Sequence, residues 1–182
     1  MVAFPVSCVL ALLRRIPRHG RAVLLVLLLG GALPAVGLAD AHLAISVGPY
    51  PDGTVHAHDY SVEALADWPM TQFTTSTVWT EGVYTYKGIL LWDLLVRLGI
   101  DPSEWRGRIS LHAIDGYSAT LGYAQVSPNA PIVAIYRNGR LMPRRARGPF
   151  WLLFPYDDDP AFRQETIYAL SVWQIERMSI EP

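Results

Sequence analysis

The sequence predicts an α+β fold, mostly β with a few short helices. Three observations carry that prediction. Two stretches, 61–69 and 88–100, space their apolar residues as helices do. Two turn dipeptides, Asp115-Gly116 and Asn138-Gly139, each sit between β-prone runs, a strong hairpin signal. All six Trp and all nine Tyr fall beyond residue 41, an enrichment that suits strands and aromatic-lined surfaces.

The elements follow in order. HLAISVG (42–48) reads as a first strand, and DGTVHAHDY (52–60) as a second strand or hairpin arm. SVEALADWP (61–69) reads as a short helix capped by Ser61 and ended by Pro69. MTQFTTSTVW (70–79) is Thr-rich and β-prone. GILLWDLLVRLGI (88–100) is the clearest helix, with Ile89, Trp92, Leu95 and Val96 on one side and Gly99 as its stop. Strand, Asp-Gly turn and strand span 108–126, and PIVAIYRNGRLM (131–142) repeats the device. WLLFPY (151–156) reads as a buried strand, and 166–180 as a β-rich close.

Ahead of this domain, Arg14, Arg15, Arg18 and Arg21 precede an uncharged apolar run, 22–39, that ends in small residues. Residues 1–41 read as a signal peptide cut near Ala39 or Ala41, which places the mature domain, 42–182, in the periplasm or outside the cell. The competing reading is an uncut anchor, the one case in which the membrane becomes a partner. However, the run is short for a span, and Gly30, Gly31 and Pro34 interrupt it. Removing the leader takes four of 15 basic residues and one of 16 acidic ones, leaving 11 against 15 and a net charge of about -4. That balance argues against nucleic-acid binding. The single cysteine, Cys8, leaves too, so the mature chain has neither disulfides nor thiolate chemistry.

The helix GILLWDLLVRLGI, the turn AIDGYSATL, the strand PIVAIYRNGRLM, the segment RGPFWLLFP and the closing SVWQIERMSI resemble, in order and spacing, the sulfite-oxidase-type molybdopterin-binding oxidoreductase domain. The resemblance runs from about Leu43 to Ile180. It implies a mixed, mostly β sheet fold and a molybdenum cofactor pocket near the loop before the GILLWDLL helix. It also implies a cysteine in that loop as metal ligand. Here the loop is TTSTVWTEG (74–82), and Ser76 or a Thr neighbour takes that place. A neutral hydroxyl is a much weaker donor than a thiolate. The resemblance implies an arginine where Trp151 stands and a lysine where Val172 stands, two cations that would help hold an anionic cofactor. Molybdopterin is therefore suggested by the resemblance but not by the ligand residues.

No catalytic residue is assigned. The ligand-binding candidates are Thr75, Ser76, Thr77, Trp79, Asp115, Tyr117 and Arg147. The hydroxyls donate and accept, Trp79 offers a flat wall, and Tyr117 adds a phenol. Asp115 also reads as an ordinary turn residue, and the Thr/Ser loop as an edge strand. Arg137, Arg140, Arg144, Arg145 and Arg147 could grip a phosphate, another anion or an acidic partner, or form a solvated loop that Asp157, Asp158 and Asp159 partly neutralise. His56 and His58 share a strand face, but no third ligand lies nearby, so no metal site is assigned. The leading expectation is an exported domain that binds a pterin-like or other small polar ligand without thiolate-ligated molybdenum catalysis. The alternatives are an active molybdenum or tungsten oxidoreductase with an oxygen ligand, and a periplasmic interaction or accessory protein.

Overall fold

The computed structural model describes residues 41–182. The leader readings fall on residues that, Ala41 apart, lie outside that range. In chain order the strands and helices are β1 (His42–Val47), β2 (His56–Ser61), α1 (Val62–Ala66), β3 (Thr71–Thr77), β4 (Thr80–Leu90), α2 (Leu91–Arg97), β5 (Arg108–Ala113), β6 (Ser118–Gly122), β7 (Ile132–Arg137), β8 (Arg140–Leu141), β9 (Trp151–Leu153), α3 (Glu165–Leu170) and β10 (Ile175–Glu181). The mostly β, mixed character that the sequence predicts is what the structure has, with three short helices.

Two sheets divide the strands. The first runs β2-β1-β10-β5-β6, and β1 lies parallel to β10 while its other pairs are antiparallel. The second runs β3-β4-β7-β8, with β9 also paired to β7. β1 and β5 alternate buried and half-exposed residues, so Leu43, Ile45, Val47, Ile109 and Leu111 enter the core. β7 is buried from Ile132 to Ile135, because β4 and β8 or β9 flank it and both faces are covered.

Ser61 caps α1 as its residue type suggests, its hydroxyl accepting from the Ala64 amide at 3.1 Å. Three segments differ from their sequence reading. Gly88–Leu90 are strand, not the first turn of a helix: they pair with Ala134, Val133 and Ile132, and α2 starts only at Leu91. The register shifts between Lys87 and Gly88. A Cβ on Gly88 would run into the Val133 carbonyl, so the glycine serves a close strand approach and does not open a helix. β4 itself escapes the sequence patterns, because Glu81 and Gly82 mask its start. Finally, α3 forms within a segment whose Thr, Ile and Tyr suggest a strand. It carries Tyr168, whose ring packs against Trp79 and Tyr156.

Candidate functional site

The turn between β3 and β4 places Trp79 among four other aromatic rings. Its ring lies 5.8 Å from Trp151, 6.2 Å from Tyr156, 5.7 Å from Tyr168 and 5.8 Å from Trp173, edge to face in each case. These rings come from β9, the segment after it, α3 and the approach to β10, so the block ties the elements of both sheets together. Two backbone bonds seal the same seam: the Leu152 amide donates to the Val172 carbonyl at 2.8 Å, and the Ile175 amide to the Phe150 carbonyl at 3.2 Å.

A cleft of about 380 Å³ opens on this block. Trp79, Tyr168 and Trp173 form its aromatic walls, Tyr117 stands beside them, and Asp115 and Glu165 bring carboxylates. The Tyr117 hydroxyl donates to the Ala169 carbonyl at 2.8 Å, which fixes the phenol against α3. Asp115 accepts from the Tyr117 amide at 3.0 Å, as a turn carboxylate does, and the residue lines the cleft.

Beyond Tyr168 lies a second cleft, of about 360 Å³, lined by Ser76, Thr77, Asp157 and Arg163 among others. Here Ser76 is clamped. Its hydroxyl donates to Asp157 Oδ1 at 2.8 Å and its amide to Asp157 Oδ2 at 2.6 Å. The Ser76 amide and then the Ser76 hydroxyl hold the Asp157 carboxyl below the ordinary range, with help from the Arg163 guanidinium at 2.9 Å. Thr75 is fully buried and structural: its hydroxyl donates to the Ser76 carbonyl and accepts from the Asp157 amide, both at 3.1 Å. Thr77 pairs with the Thr80 hydroxyl at 2.8 Å and accepts from the Trp79 amide at 3.2 Å, holding the tight turn that presents the indole.

Arg147 lines neither cleft. It ends a one-turn 3-10 helix in the left-handed region, at φ 68°. Its guanidinium lies over Trp151 and Trp173, 5.5 and 5.3 Å from their centroids. Its Nε is buried with no hydrogen-bond partner. The seven sequence candidates thus separate. Trp79, Asp115 and Tyr117 share one cleft, Ser76 and Thr77 share its neighbour, Thr75 supports the loop, and Arg147 touches the first cleft only through Trp173. Sequence reasoning missed Glu165, Tyr168 and Trp173, which α3 and its exit deliver. The aromatic content of 166–180 was the available signal, but reading it as strand hid which side chains converge. Asp157 is a correction of another kind: it serves Ser76 and Arg163 and does not neutralise the arginine cluster. Among the described residues no group of three or more His, Cys, Asp and Glu is placed to hold a metal, and no helix is long and apolar enough to cross a membrane.

No family model matches the chain, and no curated protein matches it. In fold it is similar to a solved structure, that of the sulfane dehydrogenase SoxCD from Paracoccus pantotrophus. The TM-score is 0.58 and the identity 18%, over 80% of this chain and 39% of that one. The likeness establishes the kind of fold, and the chain spans well under half the length of that protein.

The donor set can be tested against the molybdenum cofactor that the sequence resemblance implies. Where the resemblance implies the metal ligand, at Ser76 or a Thr neighbour, the Ser76 proton is committed to an anionic carboxylate, an arrangement that opposes formation of an alkoxide, while the Thr75 and Thr77 hydroxyls are bonded to the Ser76 carbonyl and the Thr80 hydroxyl. At the two positions where the resemblance implies cations, Trp151 and Val172 are buried apolar residues inside the aromatic block and the seam. The cleft beside them carries acids, which repel an anionic group. These residues do not fit a thiolate-ligated, anionic cofactor.

Proposed function

We propose that this chain is an exported binding domain on a sulfite-oxidase-type fold, one that holds a small flat polar ligand and does not catalyse thiolate-ligated molybdenum chemistry. The observation that carries the reading is the cleft between Trp79, Tyr168 and Trp173, with Asp115 and Glu165 on its lining. Aromatic walls suit a flat ring. Two carboxylates accept hydrogen bonds from ring N–H and exocyclic amino groups, the donors that an aminopyrimidinone such as a pterin presents. The same carboxylates disfavour a ligand that carries a phosphate into the cleft.

The test is elemental and pterin analysis of the natively purified protein, followed by titration with a simple pterin under tryptophan fluorescence. The expected result is no stoichiometric molybdenum or tungsten, and saturable quenching that Trp79→Phe reduces and Asp115→Asn/Glu165→Gln weakens. Metal near one per chain would overturn the non-catalytic part. Absence of quenching by any flat heterocycle with N–H donors would overturn the ligand class.

A further inference from the structure

On the second sheet, away from the aromatic cleft, a groove of about 570 Å³ lies between the β7–β8 hairpin and the segment that follows it. Arg137, Arg140 and Arg145 line it together with Asn138, and Tyr84, Leu141, Met142 and Pro143 give it an apolar side. We infer that this groove is an oxyanion-binding site for a phosphate or sulfate ester with an apolar body.

Charge is the first argument. Between Asp115 and Asp157 the sequence carries no acidic residue, yet five of the 11 basic residues after residue 41 fall at positions 137–147. The rest of the described domain is strongly acidic. Among the described residues, the four ion pairs involve none of these five arginines. Three guanidiniums facing one groove without a carboxylate repel each other, and an anion relieves that repulsion.

Rigidity is the second argument, and it separates a built site from a solvated loop. The Asn138 amide donates to the Thr85 carbonyl at 2.8 Å, and the Asn138 side-chain oxygen accepts from the Thr85 amide at 3.0 Å, so the hairpin tip is pinned to β4. Arg137 lies over the Tyr84 ring, 4.9 Å from its centroid, which limits where its guanidinium can go. On the other wall, the Met142 amide donates to the Ile135 carbonyl at 2.9 Å, and Gln174 donates to the Arg144 carbonyl at 2.7 Å. Gly148 closes the segment against the Met142 backbone, where a Cβ would collide. Both walls are therefore pinned by hydrogen bonds, and Arg137, Arg140 and Arg145 line a groove whose frame is fixed. Guanidinium forks match the oxygen geometry of phosphate and sulfate. The apolar residues beside them accept an ester's organic part.

Phenyl phosphate is the probe, titrated by calorimetry against the whole domain, with inorganic phosphate and benzyl alcohol as partial probes. The expected order is phenyl phosphate tightest, inorganic phosphate weaker and benzyl alcohol unbound, with affinity falling as salt rises. Arg140→Gln/Arg145→Gln, two exposed positions, should weaken phenyl phosphate at least about tenfold. Arg108→Gln/Arg177→Gln removes the same charge from the other sheet and should leave binding unchanged. Equal losses in both double variants would reduce the effect to net charge and overturn the site, as would phenyl phosphate binding no tighter than chloride. Co-sedimentation with phosphatidylglycerol vesicles, against phosphatidylcholine alone, distinguishes the source. Binding that phenyl phosphate displaces assigns a lipid headgroup, and no co-sedimentation alongside tight phenyl phosphate binding assigns a free ester.

Discussion

Ser76 shows how one side chain changes what a loop can do. The hydroxyl donates its proton to Asp157 and so becomes part of the scaffold. The consequence is measurable. Because the folded Asp157 titrates below its ordinary value of 3.8, its stabilising contribution is complete above that value and is lost as pH falls through and below it. Asp157→Asn should therefore cost about 1 kcal/mol at neutral pH, a charge-assisted bond discounted for solvent screening. Thermal melts of the two proteins should converge as the pH is lowered below 3.8 and through the depressed folded value. A gap that stays constant with pH would remove the carboxylate from the account. Ser171 offers a second residue-scale test. Its one proton goes to the Ile167 carbonyl at 3.1 Å, so the Tyr156 phenol must be the donor in the short bond between the two hydroxyls. Burial pushes the Tyr156 phenol far above its ordinary value, which keeps that donor protonated. Ser171→Ala should leave a buried phenol unpaired and cost about 2 kcal/mol in chemical denaturation.

At the scale of elements, the legible parts were those whose information is local. The Asp-Gly and Asn-Gly turns, the first strand at 42–48 and the Ser61 cap each follow from a few neighbouring residues. The misread parts depend on partners far along the chain. Gly88 looks like a helix opener until Val133 stands beside it. The stretch Glu165–Leu170 is β-prone in composition, yet it forms α3, whose Tyr168 ring packs edge to face on Trp79 and tilted on Tyr156. The same limit applies to the site: Trp79, Asp115 and Tyr117 were visible as candidates, but their companions Tyr168 and Trp173 come from the part of 166–180 that is not strand, and Glu165 lies just before it. The register at Gly88 can be tested directly. Gly88→Ala should destabilise by about 3 kcal/mol, the upper end of overpacking costs, because the obstruction is backbone and cannot rotate away. Gly82→Ala is a control of a different kind, since open space surrounds it and only its positive φ of 80° opposes a side chain. It should cost about 1 kcal/mol, the smaller of the two losses in urea titrations.

Across the whole molecule, the aromatic block joins what the sheets divide. Trp151 packs on Tyr86 of β4 at 5.7 Å and on Trp173 at 6.3 Å, while its indole N–H donates to the Ser171 carbonyl at 3.1 Å. Trp79 closes the cluster from the turn, and it also forms a wall of the cleft. A residue that both cements the sheets and lines the cleft ties binding to folding: a molecule that binds only the folded domain against Trp79 stabilises it by an amount that grows with the logarithm of its concentration relative to its dissociation constant. Trp79→Ala should then lower stability by about 3 kcal/mol, as large-to-small changes among packed aromatics do, and remove the quenching response to a flat ligand. Trp79→Phe should recover most of the stability and only part of the binding. If the block is the joint, unfolding followed by tryptophan fluorescence and by far-ultraviolet circular dichroism should give coincident curves in wild type, because the block sits within one core cluster that draws residues from both sheets. Non-coincident curves in the wild-type domain, with one sheet melting first, would show that β1–β10 and β5–β6 stand without the block, and the coupling between cleft and seam would fall with it.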